Sequence, residues 1–232
     1  MRLRVFLLVG IAAIVPFAVH AQTEQVVVIG TLSDAGIGLA RDKLAGSLQS
    51  FSSDQLGAGH GATVLGGLAA GAGVSLNDTQ GNGLFQDLRF HGFEASPLQG
   101  VAQGLAVYQN GMRLNEAFGD TVNWDAIPQT AISHLDVWNA NPVFGLNALG
   151  GAVNMVMKNG FTWDGTELSA QGGSFGHGMA TAQMGAADGD LAFYGAAEGV
   201  TDGGWRLHSG SDLVRLYGDI GSYRLDWAKD EL

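Results

Sequence analysis

The chain has 232 residues, a formal net charge of −11 from 11 Lys and Arg against 22 Asp and Glu, and no cysteine. That length accommodates one moderate domain and a remainder. The missing cysteines exclude disulfide scaffolds and thiolate metal sites, and the absence of any basic stripe excludes nucleic acid as a partner, because a phosphate backbone needs clustered cations.

Arg2 and Arg4 precede an apolar run over 5–19, and Val19-His20-Ala21 puts small residues where a signal peptidase reads, so residues 1–21 read as a cleaved secretory signal peptide. The alternative is a retained anchor, for which about 15 apolar residues fall short of the roughly 20 that a spanning helix requires. Glu24-Gln25-Val26-Val27-Val28-Ile29-Gly30 follows, a β-branched run that favours a strand. A dinucleotide-binding turn is excluded there, since the positions two and five after Gly30 hold Leu32 and Ala35 instead of glycine. Residues 39–48 and 53–68 read as short helices, the second with Ser53 or Asp54 as its cap. Gly57, Gly59, Gly61, Gly66 and Gly67 weaken that second helix by about 1 kcal/mol apiece.

From 73 to 161 short apolar strands alternate with glycine and asparagine turns. Val107-Tyr108-Gln109 meets Asn110-Gly111, a dipeptide that takes positive φ at both central positions of a tight hairpin, and Met112-Arg113-Leu114 returns as the paired strand. Gly150-Gly151 stands just before the apolar run 152–157, which suits close approach of another backbone. The polar stretches 79–85 and 115–125 are the long loops between these strands. From 162 onward the pattern changes to alternation over longer segments, 166–174, 178–187, 191–199, 213–218 and 222–227, with Asp188-Gly189 as a tight-turn dipeptide. Tyr194, Trp205, Tyr217, Tyr223 and Trp227 are placed for an interfacial aromatic girdle of a membrane barrel; the alternative is a soluble β-meander.

Enzymatic chemistry has nowhere to reside in this pattern. The six histidines are scattered, with no helical metal-ligand pair, no phosphate-loop lysine and no serine in a nucleophile elbow. Asp188 and Asp190 flank a hairpin glycine, which is turn chemistry more than calcium chemistry. No metal or cofactor site is expected.

Five phrases in order, Gly73-Val74-Ser75-Leu76-Asn77-Asp78, Leu88-Arg89-Phe90-His91-Gly92-Phe93, Leu105-Ala106-Val107-Tyr108-Gln109-Asn110-Gly111, Ile132-Ser133-His134-Leu135-Asp136-Val137 and Phe144-Gly145-Leu146-Asn147-Ala148-Leu149-Gly150-Gly151-Ala152-Val153-Asn154, resemble the plug domain of TonB-dependent outer-membrane receptors. The resemblance runs over about 24–161. It implies an α+β plug, a mixed small sheet with short helices, followed by the start of an antiparallel transmembrane β-barrel that is incomplete here: signal peptide 1–21, box-like segment and linker 22–38, plug 39–161 and first barrel strands 162–232. In such receptors an acidic residue followed by valines is the TonB box, so Glu24, Gln25, Val26, Val27, Val28, Ile29 and Gly30 would add as a strand to a TonB-type energising protein in the periplasm; the same segment equally suits a first plug strand. The loops would meet a small nutrient ligand through Asn82, Phe118, Asp120, Asn123 and Trp124, although Phe118 and Trp124 could instead pack beneath their loop.

The family carries arginine before the glycine of its Arg-Gly-Phe phrase and glutamate in its Ile-Glu phrase, and these charges pair inside the lumen. This sequence has His91 and Asp136 there, with Arg89 beside them, so a cation that titrates near neutral replaces a permanent one in the plug charge network. Ala72 replaces the proline usual before the Gly-Val phrase.

A plugged transporter of roughly 22 strands at about 10 residues each needs over 200 residues of strand, whereas 162–232 supplies 71 and does not end on an aromatic residue. The expectation is therefore an amino-terminal piece of a receptor that takes up a scarce nutrient across the outer membrane, in contact with outer-membrane lipid. A freestanding periplasmic plug-like binding or signalling protein is the alternative.

Overall fold

The computed structural model describes residues 47–57, 63–140 and 144–222, and the backbone of Ile29–Gly30 and Gly38–Leu39. The last two segments, β1 and β2, pair antiparallel as a small ribbon. Leu39 thus ends a strand, and Leu48 begins another, so the helix expected over 39–48 is corrected at both ends; its middle lies outside the described residues.

The segment expected to be a plug is built on a mixed five-stranded sheet. β3 (Leu48–Ser52) and β10 (Gly151–Met157) flank β9 (Ile132–Asn139), each antiparallel to it, while β7 (Leu105–Gln109) runs parallel to β10 and is followed by the two-residue β8 (Met112–Arg113). β7 and β10 are apolar on both faces because both faces are covered. Leu105, Val107, Val153 and Met155 enter the main core with Phe51, Leu56, Leu68, Trp124 and Leu135, whereas Ala106, Tyr108 and Ala152 pack under Phe144 and Ala148. The hairpin between β7 and β8 closes as its sequence requires, with φ of 48° at Asn110 and 78° at Gly111.

A three-stranded antiparallel sheet, β4 (Val74–Asn77), β5 (Asp87–Phe90) and β6 (Phe93–Ala95), lies beside it, with His91-Gly92 as the turn between the last two. The helix expected over 53–68 is two short ones, α1 (Ser53–Gly57) and α2 (Leu65–Leu68). Neither Ser53 nor Asp54 caps α1. The cap is Ser52, whose hydroxyl accepts from Gln55 N (3.4 Å) while Gln55 Oε1 accepts from Ser52 N (2.9 Å), a reciprocal capping box.

Gly67 of α2 sits on α1. A methyl group there would meet Leu56 Cα and come within 2.6 Å of its carbonyl oxygen. Gly67→Ala is therefore expected to destabilise the fold by about 1–3 kcal/mol despite alanine's higher helix propensity; a urea midpoint that rises would overturn this.

The remaining four strands, β11 (Gly165–Gly172), β12 (Gly178–Asp188), β13 (Leu191–Asp202) and β14 (Ser211–Ser222), form one antiparallel sheet in sequence order. β14 is continuous where two segments, 213–218 and 222–227, were expected; residues from 223 onward lie outside the described ones. The tight turn is Gly189-Asp190, one position later than expected, because Asp188 already pairs with Leu191.

Alternation decides which face meets what. Leu168, Met184, Leu191, Phe193, Val214, Leu216 and Ile220 point outward and are exposed, while Gln183, Tyr194, Glu198 and Arg215 point inward onto the plug and are buried. Apolar outside and polar inside is the reverse of a soluble sheet and the pattern of a barrel wall in lipid. Strands of 11 and 12 residues also match the roughly 9–11 that cross hydrocarbon at a tilt. The girdle expectation is corrected for Tyr194, which faces the plug, and Trp205 stands in the connection between β13 and β14. Tyr217 lies partly buried against the main core, and Tyr223 and Trp227 lie outside the described residues.

Candidate functional site

Two regions of the plug carry polar chemistry. The first is an apex where the connections 96–104, 114–123 and 144–150 meet, all leaving the same end of the β7, β8, β9 and β10 strands. Arg113 Nη2 holds Asp120 Oδ1 at 2.8 Å and Arg113 Nη1 donates to Leu146 O at 2.6 Å, while Asn147 Nδ2 donates to the other oxygen of Asp120. Asn115 ties the base of the loop, accepting from Val107 N (2.7 Å) and donating to Leu105 O (3.0 Å) and Asp120 O (3.2 Å). Asn123 Nδ2 donates to Glu116 Oε1 (2.5 Å). On this base the Phe118 side chain projects with 78% of its surface exposed, and Leu146 and Leu149 in the 144–150 connection are exposed as well.

Of the residues read as ligand contacts, Phe118, Asp120 and Asn123 therefore share the apex. Trp124 does not. Its side chain is wholly buried in the main core, and its indole N–H donates to Ala95 O at 3.0 Å, so it fixes the floor of the loop and presents nothing to a ligand. Asn82 also stands apart. It closes the 78–84 turn by accepting from Leu84 N (3.0 Å) and donates to Ser211 Oγ at the start of β14 (2.9 Å). Beside it Arg206 donates to Gln80 O and stacks over Trp205, its carbon 4.8 Å from the ring centroid. This plug loop is thereby pinned to the wall at the end carrying the long connections 173–177 and 203–210.

Arg89, His91 and Asp136 are not gathered into one network. Arg89 pairs across the strand with Glu94 at 2.6 Å. His91 occupies an exposed turn at φ 52° with its ring edge-on to Phe90. Asp136 is buried on β9, where His134 Nε2 lies 3.9 Å from it. Residues 24–28 of the box-like segment lie outside the described ones; Ile29 and Gly30 pair with Leu39 and Gly38.

The second region, which sequence reading missed, is the interface between plug and wall. Glu198 and Arg215 stand directly opposite each other in the β13–β14 register and form a fully buried ion pair. Both reach across to the plug backbone. Glu198 Oε2 accepts from Thr130 N and Thr130 Oγ1, each at 3.1 Å, and Arg215 Nε donates to Asp125 O at 2.6 Å. One step along the wall, Lys158 Nζ donates to Thr130 O and to Gln183 Oε1, both at 2.9 Å, and lies 5.6 Å over the Trp163 ring. Tyr194 Oη donates to the same Gln183 oxygen at 2.8 Å. Burial pushes the Lys158 ammonium below the usual lysine range, against the opposing pull of the Glu167 and Asp54 carboxylates. The signal available was the run of inward positions, Glu167, Gln183, Glu198 and Arg215, on strands whose other face is apolar or small apart from Asp188 and Asp212 at strand ends.

A small mixed sheet with short helices, seated on the polar face of an antiparallel sheet whose other face is apolar, is the architecture of a plug against a barrel wall. Residues 40–152 match the family model of the TonB-dependent receptor plug domain, and the chain carries that domain. TonB-dependent receptors are outer-membrane transporters and not enzymes. No curated protein matches the sequence. Among solved structures, the siderophore receptor PiuA from Acinetobacter baumannii is 18% identical with a TM-score of 0.52, over 68% of this chain and 21% of that one. The alcaligin outer membrane receptor FauA from Bordetella pertussis is 15% identical with a TM-score of 0.56, over 84% and 32%. The copper transporter OprC is 14% identical with a TM-score of 0.54, over 76% and 28%. These likenesses concern the fold, and the chain spans about a fifth to a third of the length of the structures it matches.

Proposed function

We propose that this chain supplies the amino-terminal plug and first wall strands of a TonB-dependent receptor that takes up a scarce nutrient across the outer membrane. The observation that carries the reading is the inverted wall: apolar side chains outward, a buried polar seam inward, and the plug hydrogen-bonded to that seam. Long connections belong to the outer side of such barrels and tight turns to the periplasmic side, which sets Asn82 and the 203–210 connection outside and Gly189-Asp190 inside. Phe118, Asp120 and Asn123 then form the ligand-facing apex. PiuA is named a siderophore receptor, FauA an alcaligin receptor and OprC a copper transporter; a metal-bearing small nutrient is the ligand class that the apex of this chain serves. Residues 24–30 act as the TonB box, adding as a strand to the energising protein by backbone pairing.

Fractionation tests the reading. The expressed protein is expected in the outer-membrane pellet and to require detergent for release, whereas a soluble periplasmic pool would favour a freestanding plug-like binding protein. In a receptor of full length, a crosslinker at Val27 is expected to capture the energising protein more strongly when ligand is bound; no ligand-dependent product would remove the box assignment while leaving the wall assignment intact.

A further inference from the structure

β3 is weakly anchored for a strand of its length. It lies at the edge of the five-stranded sheet, pairs there with β9, and buries one side chain, Phe51, where β7 buries four and β10 five. A side chain supplies the hold that its ladder lacks. Gln49 Nε2 donates to Ala72 O and Gln49 Oε1 accepts from Ala72 N, both at 2.7 Å, so one side-chain amide makes the pair of bonds that a neighbouring strand would make. The ring needs an N–H at residue 72, which a proline there would lack. The same connection, 69–73, also seats Phe51, since a methyl group at Gly71 would stand 2.8 Å from the Phe51 Cζ. That connection is itself fastened to the three-stranded sheet, with Val74 N donating to Gly71 O (3.1 Å) and His91 N to Gly73 O (3.2 Å).

The clamp stands where the chain enters the sheet. Ser47 O accepts from Asn139 N at 3.2 Å, at the end of β9 that pairs with Gly151, so β3 begins at the apex end and Gln49 is its second residue. At the opposite end the Ser52–Gln55 capping box ties β3 to α1. A displacement arriving along the chain from the amino-terminal side therefore meets Gln49 before it meets Phe51 or α1. We propose that β3 is a latch strand that opens separately from β7, β9 and β10, held shut at its entry end by the Gln49–Ala72 clamp. As an edge strand it leaves without breaking the ladders of β9 with β10 or of β10 with β7, and it withdraws one residue from the main core. Segments with so few buried contacts are the ones that open at low free energy.

Hydrogen exchange read by mass spectrometry on the whole chain in detergent micelles tests the proposal. The β3 amides are expected to exchange about tenfold or more faster than those of β7 and β10, as in an opening smaller than global unfolding. Gln49→Leu is expected to speed β3 about tenfold further, the effect of losing two partly exposed hydrogen bonds, and Gln49→Glu, which keeps the acceptor for Ala72 N, about threefold. Val107→Ala, which hollows the core three strands away from β3, is expected to speed exchange in β7 and β10 and to leave β3 as it was. Equal protection of β3 and β10, acceleration of β3 by Val107→Ala to the same degree as β7, or an unchanged β3 rate in Gln49→Leu would each overturn the proposal. No energising protein enters the measurement, so its outcome is independent of the box assignment, which the Val27 crosslink tests.

Discussion

Replacing Glu198 with alanine is expected to destabilise the seating of the plug on the wall by about 3–5 kcal/mol, the range for removing one partner of a buried ion pair. The carboxylate answers three groups at once: the Arg215 guanidinium, Thr130 N and Thr130 Oγ1. Without it a cation stays in the interface with its opposite charge gone, and the Thr130 amide loses its acceptor. Glu198→Gln is expected to lose less, because the amide oxygen still serves Thr130. Thr130→Val, which removes only the hydroxyl, is expected to lose about 1 kcal/mol. The sharper control is the double change Glu198→Leu with Arg215→Met, expected to regain much of the loss, since apolar replacement of a whole buried pair is often neutral. Urea unfolding of the chain in micelles, followed by protease cleavage within 125–131, reads all four. An unchanged midpoint and cleavage rate in Glu198→Ala would show that this pair does not fasten the plug.

That clamp was hidden from sequence reading for a physical reason. The alternation of 191–202 and 211–222 is visible in the chain, but not which face turns inward, and the partners of Glu198 lie 17 residues away on the next strand and 68 residues away on the plug. Local signals fared better wherever backbone chemistry alone decides. Asn110-Gly111 dictates its hairpin through φ, and the glycines of 53–68 foretold the weakness of that helix, which divides into α1 and α2. Where tertiary pairing outweighs propensity, the reading failed: Leu39 and Leu48 lie in strands because β1 and β9 offer ladders to join. The charge network failed likewise. Arg89 found Glu94 directly across β6, a nearer partner than any the phrases suggested.

Trp124 and Phe118 give the largest contrast within one loop. Both are aromatic, six residues apart, and both were candidates for touching ligand, yet one is enclosed on every side and the other projects from the tip. Trp124→Ala removes the largest fully buried side chain of the plug and leaves Ala95 O without its indole donor. It is expected to destabilise the fold by about 3–5 kcal/mol, the range for aromatic-to-alanine changes in a core, and to lower ligand binding only as the folded fraction falls. Phe118→Ala is expected to shift stability by less than about 0.5 kcal/mol, as exposed positions do, while weakening ligand capture in the receptor of full length with the folded fraction unchanged. Urea midpoints and ligand affinities measured on the same two variants separate the roles. Equal destabilisation by both changes would place Phe118 in the packing of the loop, and an unaltered midpoint in Trp124→Ala would mean that the apex does not rest on this indole.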